Sequence, residues 1–250
     1  MYDPHEALAL VDAHRWGLLA LCGLALVGNY IWFIAAIRVS HRDKLYSIPL
    51  VLTFFWFAHD GSVVYRAGTW FSYHHWFPVL WWVALCGTTA IEVVFLAQAF
   101  RYGRAELMPN SSPRTWGLLM AAGVVAGFVV WESFKSVMVD GLYLWAFGIT
   151  ICSYPLFGVP LLIRRRSGAG QVPAMWAGYT LTSVCYFTAA ALWFGGHFRD
   201  WQWIAMGVLS VLGGIGMTVA VHRSRSAGAG AGGTAQPLID AGVIIESSRT

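Results

Sequence analysis

Charge is what this sequence has least of: Asp, Glu, Lys and Arg make up 11% of its residues, against about 25% in a soluble domain. The shortage excludes an ordinary water-soluble fold and assigns the chain to the membrane proteins. The four cysteines, Cys22, Cys86, Cys152 and Cys185, all fall in apolar stretches without CxxC spacing, so neither a disulfide framework nor a zinc site is supported. Several motifs are missing as well. There is no DDxxD or DxDD, no HExxH, no GxSxG and no GxxxxGK(S/T), which removes support for diphosphate ionisation on magnesium, metal hydrolysis, acyl transfer and nucleotide use. The first fifteen residues mix Asp3, Glu6, Asp12 and His14 with one basic residue, Arg15, and lack the basic start and cleavage site of a secretory signal.

Apolar and aromatic residues fill the remainder. Hydrophobic residues account for 58% of the chain, and it carries 14 Trp, 10 Tyr and 15 Phe, some of them belt residues at the membrane interface. Apolar runs predict spans near 16–37, 45–65, 76–100, 116–134, 141–163, 172–195 and 201–221, each long enough for a hydrocarbon core of about 30 Å. Asn110-Ser111-Ser112-Pro113 marks a helix stop and start, while Pro155 and Pro160 are expected to bend or locally unwind the fifth span. Three Lys or Arg follow each of spans one, three and five and three more lie in the tail, against one in each other connection and the N-terminus. The positive-inside rule then puts the N-terminus outside and the C-terminus in the cytoplasm. The expected fold class is an all-α polytopic membrane protein, a seven-transmembrane-helix bundle over 1–222 with a disordered Gly/Ala/Ser-rich tail over 223–250. The only lysines, Lys44 and Lys135, lie outside span seven, which argues against a retinal Schiff base there.

Within these spans ionisable groups are costly and usually functional. Asp60, in the run Phe57-Ala58-His59-Asp60, sits inside span two; Glu92 lies in span three, deeper and toward the cytoplasmic half. Topology brings Asp60, Glu132, Asp140 and Asp200 to the outer level, although Asp140 and Asp200 begin helices, where a carboxylate also serves as a cap. A carboxylic acid in a low-dielectric hollow favours its neutral form and can act as a general acid. His59 could orient or reload Asp60, if the roughly 100° between helix neighbours allows both to face one cavity. Trp56, Tyr65, Trp131, Tyr143, Trp145, Tyr179 and Trp193 are candidates for a ring lining that holds a carbocation by its π faces.

Three segments carry a resemblance to the integral-membrane terpene cyclases, the fungal enzymes that close meroterpenoids and indole diterpenes and their bacterial, drimentine-type relatives. Phe57-Ala58-His59-Asp60 is similar to the Asn-x-Ala-Trp-Glu region of that family, with Asp in place of the Glu taken as proton donor and His in place of Trp. Leu161 to Gln171 resembles its Leu-Leu-x-Arg-Arg-x-Ser-x-x-Gly-Gln loop, and Arg199-Asp200-Trp201 its Arg-Trp-Pro-Asp segment, without the proline. The resemblance implies that Asp60 protonates a terminal alkene or epoxide of a prenyl chain. Cyclisation then follows in cascade, and a base removes the last proton, with Asp200 the first choice and Glu132 the second. It implies a lipophilic prenylated substrate, such as a farnesylated indole, in a bacterial plasma membrane. No cofactor, metal, nucleic acid or obligate protein partner is expected besides that substrate and membrane lipid. A proton-coupled transporter using Asp60, His59 and Glu92 as a relay is the main alternative, and a non-catalytic membrane partner of an enzyme complex is a third.

Overall fold

The structure, a computed structural model, describes residues 2–230 and is all-helical, with no strand among the described residues. Helix α1 (Pro4–Ala13) precedes the first long helix; the sequence reading had left this segment without an element. Its signal was local. Asp3 accepts from the His5 and Glu6 amides and Pro4 occupies the first turn, where its missing N–H costs nothing. The long helices follow as α2 (Arg15–Asp43), α3 (Leu50–Tyr65), the short α4 (Ala67–Phe71), α5 (Trp76–Leu107), α6 (Pro113–Val137), α7 (Leu144–Arg165), α8 (Pro173–Trp193) and α9 (Trp201–Gly230).

Five of these, α2, α5, α6, α7 and α9, are long and apolar enough to cross a membrane. Helices α3 and α8 match the other two expected spans in position. However, α3 has 16 residues, short of the roughly 20 that a crossing takes, and α8 carries Tyr, Thr and Ser residues along its length. Helix α7 runs as one helix through Pro155 and Pro160, without the local unwinding expected there. Ser112 caps α6 through the Thr115 amide, with Pro113 behind it, as the stop-and-start signal predicts. Helix α9 extends through residues 223–230 of the expected tail, and Arg225 binds Asp43 and the Gln171 carbonyl. The rest of that tail, from 231, lies outside the described residues.

Packing divides the helices into two groups. Helix α3 lies against α5 and α6, while α2, α8, α9 and α7 pack in sequence on the other side. The α2–α8 crossing is tight because both partners are glycine: a Cβ on Gly28 would stand 2.7 Å from the Gly178 carbonyl oxygen. Such small-residue contacts drive helix association where lipid removes the hydrophobic gain. Between the groups lies a core rich in rings, including Trp32, Trp56, Phe95, Tyr179 and Tyr186. Outward faces carry Val125 and Val129 on α6 and Leu209 and Leu212 on α9, the apolar exterior that a bilayer favours.

Candidate functional site

Helix α3 turns Trp56, His59, Asp60 and Val63 inward, the three- and four-residue spacing of one helix face. His59 and Asp60 are 1% and 5% exposed. Although they are chain neighbours, His59 Nδ1 reaches Asp60 Oδ1 at 2.6 Å. Thr88 of α5 donates its hydroxyl to Asp60 Oδ2 and also approaches the Leu85 carbonyl. Both carboxylate oxygens of Asp60 are therefore held, which fixes the group in one orientation. Arg66 binds Glu132 and Tyr143 and makes no ion pair with Asp60.

A small cavity of about 20 Å³ meets this pair where the two helix groups join. Its walls include Phe33, Trp56, Phe147, Tyr154 and Tyr179, with Asn29, Thr150 and Thr182 as neutral polar groups and Glu92 as a second acid. That volume has room for one water. Three polar atoms of its lining are buried without a partner in the protein: His59 Nε2, Glu92 Oε2 and Trp56 Nε1. Each forfeits about 1–3 kcal/mol if left so, which marks the cavity as a place where something polar is handled. Expected at a different depth, Glu92 instead shares this cavity with Asp60.

Two further sets of polar contacts lie on the far side of His59. Ser62 donates to the His59 carbonyl, Trp131 donates to the Ser62 hydroxyl at 2.6 Å, and Arg66 bridges Tyr143 and Glu132. His59 packs edge-on to Trp131 with ring centroids 4.6 Å apart, and Tyr143 lies 5.9 Å away. Tyr143, at a φ of 57°, turns the chain sharply into α7.

The remaining candidates are placed elsewhere. Asp200 is exposed, 3.7 Å from His197, and Glu132 is at the rim with Arg66 and Tyr65. Neither reaches the cavity, so neither stands where the terminating base was expected. Asp140 is buried as a structural group, accepting from the Leu144 and Ala146 amides and from the Tyr2 hydroxyl. Of the seven ring candidates, Trp56 and Tyr179 line the cavity and Trp131 and Tyr143 back His59. Tyr65 is exposed, Trp145 packs on Trp203 and Trp193 covers Gly17 near the start of α2. In the loop from Leu161 to Gln171, Arg164 and Arg165 clamp Glu106, and Gln171 accepts from Trp176.

Sequence reasoning missed Asn29, Thr88, Phe147, Thr150, Tyr154 and Thr182. A neutral polar residue within a helix has no periodic mark of its own. Asn29 was the one detectable case, an amide midway along an apolar span.

These features define an all-helical membrane protein with a buried acid–imidazole pair and a second carboxyl group in one ring-walled cavity. No family model, curated protein or solved structure matches the chain. No group of three or more His, Cys, Asp or Glu among the described residues could hold a metal ion. The chemistry this set of groups can perform is proton donation, acceptance and relay among buried side chains.

Proposed function

We propose that the protein is a membrane-embedded terpene cyclase, acting on the prenyl chain of a lipophilic aromatic such as a farnesylated indole. The observation that carries this reading is the Asp60–His59 pair sharing one ring-walled cavity with Glu92. Asp60, in its neutral form, gives its carboxyl proton to the terminal alkene; a new C–H bond forms as the O–H bond breaks and a tertiary cation results. An epoxide terminus would be opened by the same proton. Trp56, Tyr154, Tyr179 and Phe147 hold the cation by their π faces, since rings attract positive charge without supplying a lone pair that would quench it. Internal double bonds attack in turn. The carboxylate of Glu92 then takes the last proton; that Glu92 lines the cavity, and Asp200 and Glu132 do not, supports this choice. Between cycles Glu92 gives its proton to water that reaches the cavity, and His59, with Nδ1 on Asp60 and Nε2 open to the cavity, takes one from water at Nε2 as it passes one from Nδ1 to Asp60.

This reading includes seven membrane crossings, with α3 and α8 completing the five longer ones, and an outward N-terminus in a bacterial plasma membrane. No cofactor, metal or nucleic acid takes part. Asp60→Asn, nearly equal in size, should leave the protein folded in detergent and abolish conversion of prenylated indoles or phenols, followed as a retention shift without change of mass. Full conversion by that variant would remove the assignment.

One observation favours a second reading: a water-sized cavity between two acids and an imidazole also suits a proton relay in a transporter. Proteoliposome uptake that depends on a proton gradient and leaves the solute unchanged would favour it over cyclisation.

A further inference from the structure

Gly195, at a φ of 105°, and one helical turn, Gly196–Arg199, reverse the chain between α8 and α9. Phe198 of that turn is buried against Phe194 and Trp203, with ring centroids 5.6 and 4.8 Å away, which fixes the turn over the end of α8. Arg199 is thereby placed to donate from Nε to the Ala191 carbonyl at 3.0 Å and from Nη2 to the Leu192 carbonyl at 3.2 Å, acceptors that a helix end leaves unpaired. A guanidinium carries five N–H groups, and the others of this exposed side chain remain open. From the same end a groove of about 380 Å³ runs between α8 and α9 on the exterior. Phe187 and Trp203 form its floor, and Val184, Leu192, Val208 and Leu212, all exposed, form its banks. Ser183 and Trp203 spend their polar hydrogens on the Tyr179 and Phe187 carbonyls, so the surface offered is mainly apolar. The groove reaches from Leu192 to Ser183 on α8 and from Trp203 to Leu212 on α9, about 14 Å at about 1.5 Å per residue. That is close to the depth of one leaflet, half of a hydrocarbon core of about 30 Å. At its polar end Trp201 is 75% exposed, as a ring at the headgroup level is.

We propose that this groove is a binding site for a zwitterionic phospholipid, with one acyl chain lying between α8 and α9 and the phosphate on Arg199. Length and charge each support that occupant. The groove is as deep as one acyl chain is long, and it belongs to α9, a helix apolar enough to cross a membrane. Arg199 adds one positive charge at the polar end, with N–H groups shaped for phosphate oxygens. Asp200, the next residue, is exposed as well and lies 3.7 Å from His197. Its charge offsets that of Arg199, so a headgroup whose amine balances its phosphate suits this end better than one with a net negative charge. A free phosphate would use the guanidinium and leave the groove empty; a diacylglycerol would do the opposite. No residue lines both this groove and the acid cavity, so the site is independent of the reaction at Asp60. Arg199 thereby has a task besides holding the end of α8.

The test uses the full-length protein, freed of lipid in a mild detergent and titrated with palmitoyl-oleoyl phosphatidylethanolamine, the matching phosphatidylglycerol or dioleoylglycerol. Native mass spectrometry counts the lipid retained. One phosphatidylethanolamine per chain should survive collision energies that remove the other two. Arg199→Gln should weaken its retention by about tenfold or more, the worth of a hydrogen bond to a charged group. Val208→Trp, which fills the groove, should weaken it as much; Leu209→Trp, exposed on the same helix but outside the lining, should leave it unchanged. Equal retention of dioleoylglycerol would overturn the phosphate contact, and equal retention of phosphatidylglycerol the zwitterionic choice. Both comparisons are made on the parent protein, so they hold even where a variant fails to fold. Retention unaltered by Val208→Trp would overturn the groove as the site. A dimer that Val208→Trp dissociates, with no lipid retained by the parent, would assign the groove to a second copy of the chain and overturn the proposal.

Discussion

Two carboxylates inside apolar helices each cost about 2.5–3.5 kcal/mol at the centre of a span, a substantial share of a total stability near 5–15 kcal/mol. Asp60 offsets this through His59 and Thr88, whereas Glu92 has an oxygen with no partner. In the proposed mechanism that difference gives them different tasks, Asp60 as a positioned donor and Glu92 as an open acceptor. Glu92→Gln should lower cyclisation by about 10²–10⁴, the usual worth of a general base, while Asp200→Asn should stay within about twofold of the parent, both measured as product formed by detergent-purified protein. A large loss in Asp200→Asn would return the terminating role to the α9 end. Asp60 and His59 were legible in the sequence because charge stands out in an apolar run. The exposure of Asp200 was not legible, because an acid at a helix start looks alike whether it faces solvent or substrate, and only packing tells the two apart.

At the scale of elements, α1 is more than a leader to α2. Its Asp12 binds Trp76 and Arg15, and lies 3.1 Å from His75, so it fastens α1 to the starts of α2 and α5. The hydrogen bond from Trp76 and then that from Arg15 hold the Asp12 carboxyl down at about 2, below its ordinary 3.8. A lowered carboxylate pKa favours folding above the ordinary value, and the benefit fades as pH falls toward the lowered one. Thermal melting in a non-ionic detergent should therefore find the parent more stable than Asp12→Asn at pH 5, with the difference shrinking to nothing near pH 2. A pH-independent difference would mean that the contact acts through shape alone. Long helices such as α2, α5 and α6 were readable from apolar length, but α1 and α4 were not, because ten and five residues carry too little periodicity to stand above their surroundings.

For the molecule as a whole, the two helix groups meet along a seam where rings, two acids and an imidazole are buried together. Apolar composition made the membrane class evident, and the acid in span two pointed to the seam. The seam itself was not evident, since which faces meet depends on contacts such as Gly28 with Gly178 that no single span reveals. The central claim is that Asp60 hands a proton to a prenyl alkene and that another proton leaves. Incubating the purified protein with a farnesylated indole in D₂O tests this most directly. The account expects a cyclic product that has the mass of the substrate when made in H₂O and carries one deuterium at the initiating carbon when made in D₂O, with neither product formed by Asp60→Asn. A product without deuterium, or one heavier by a water, would contradict it.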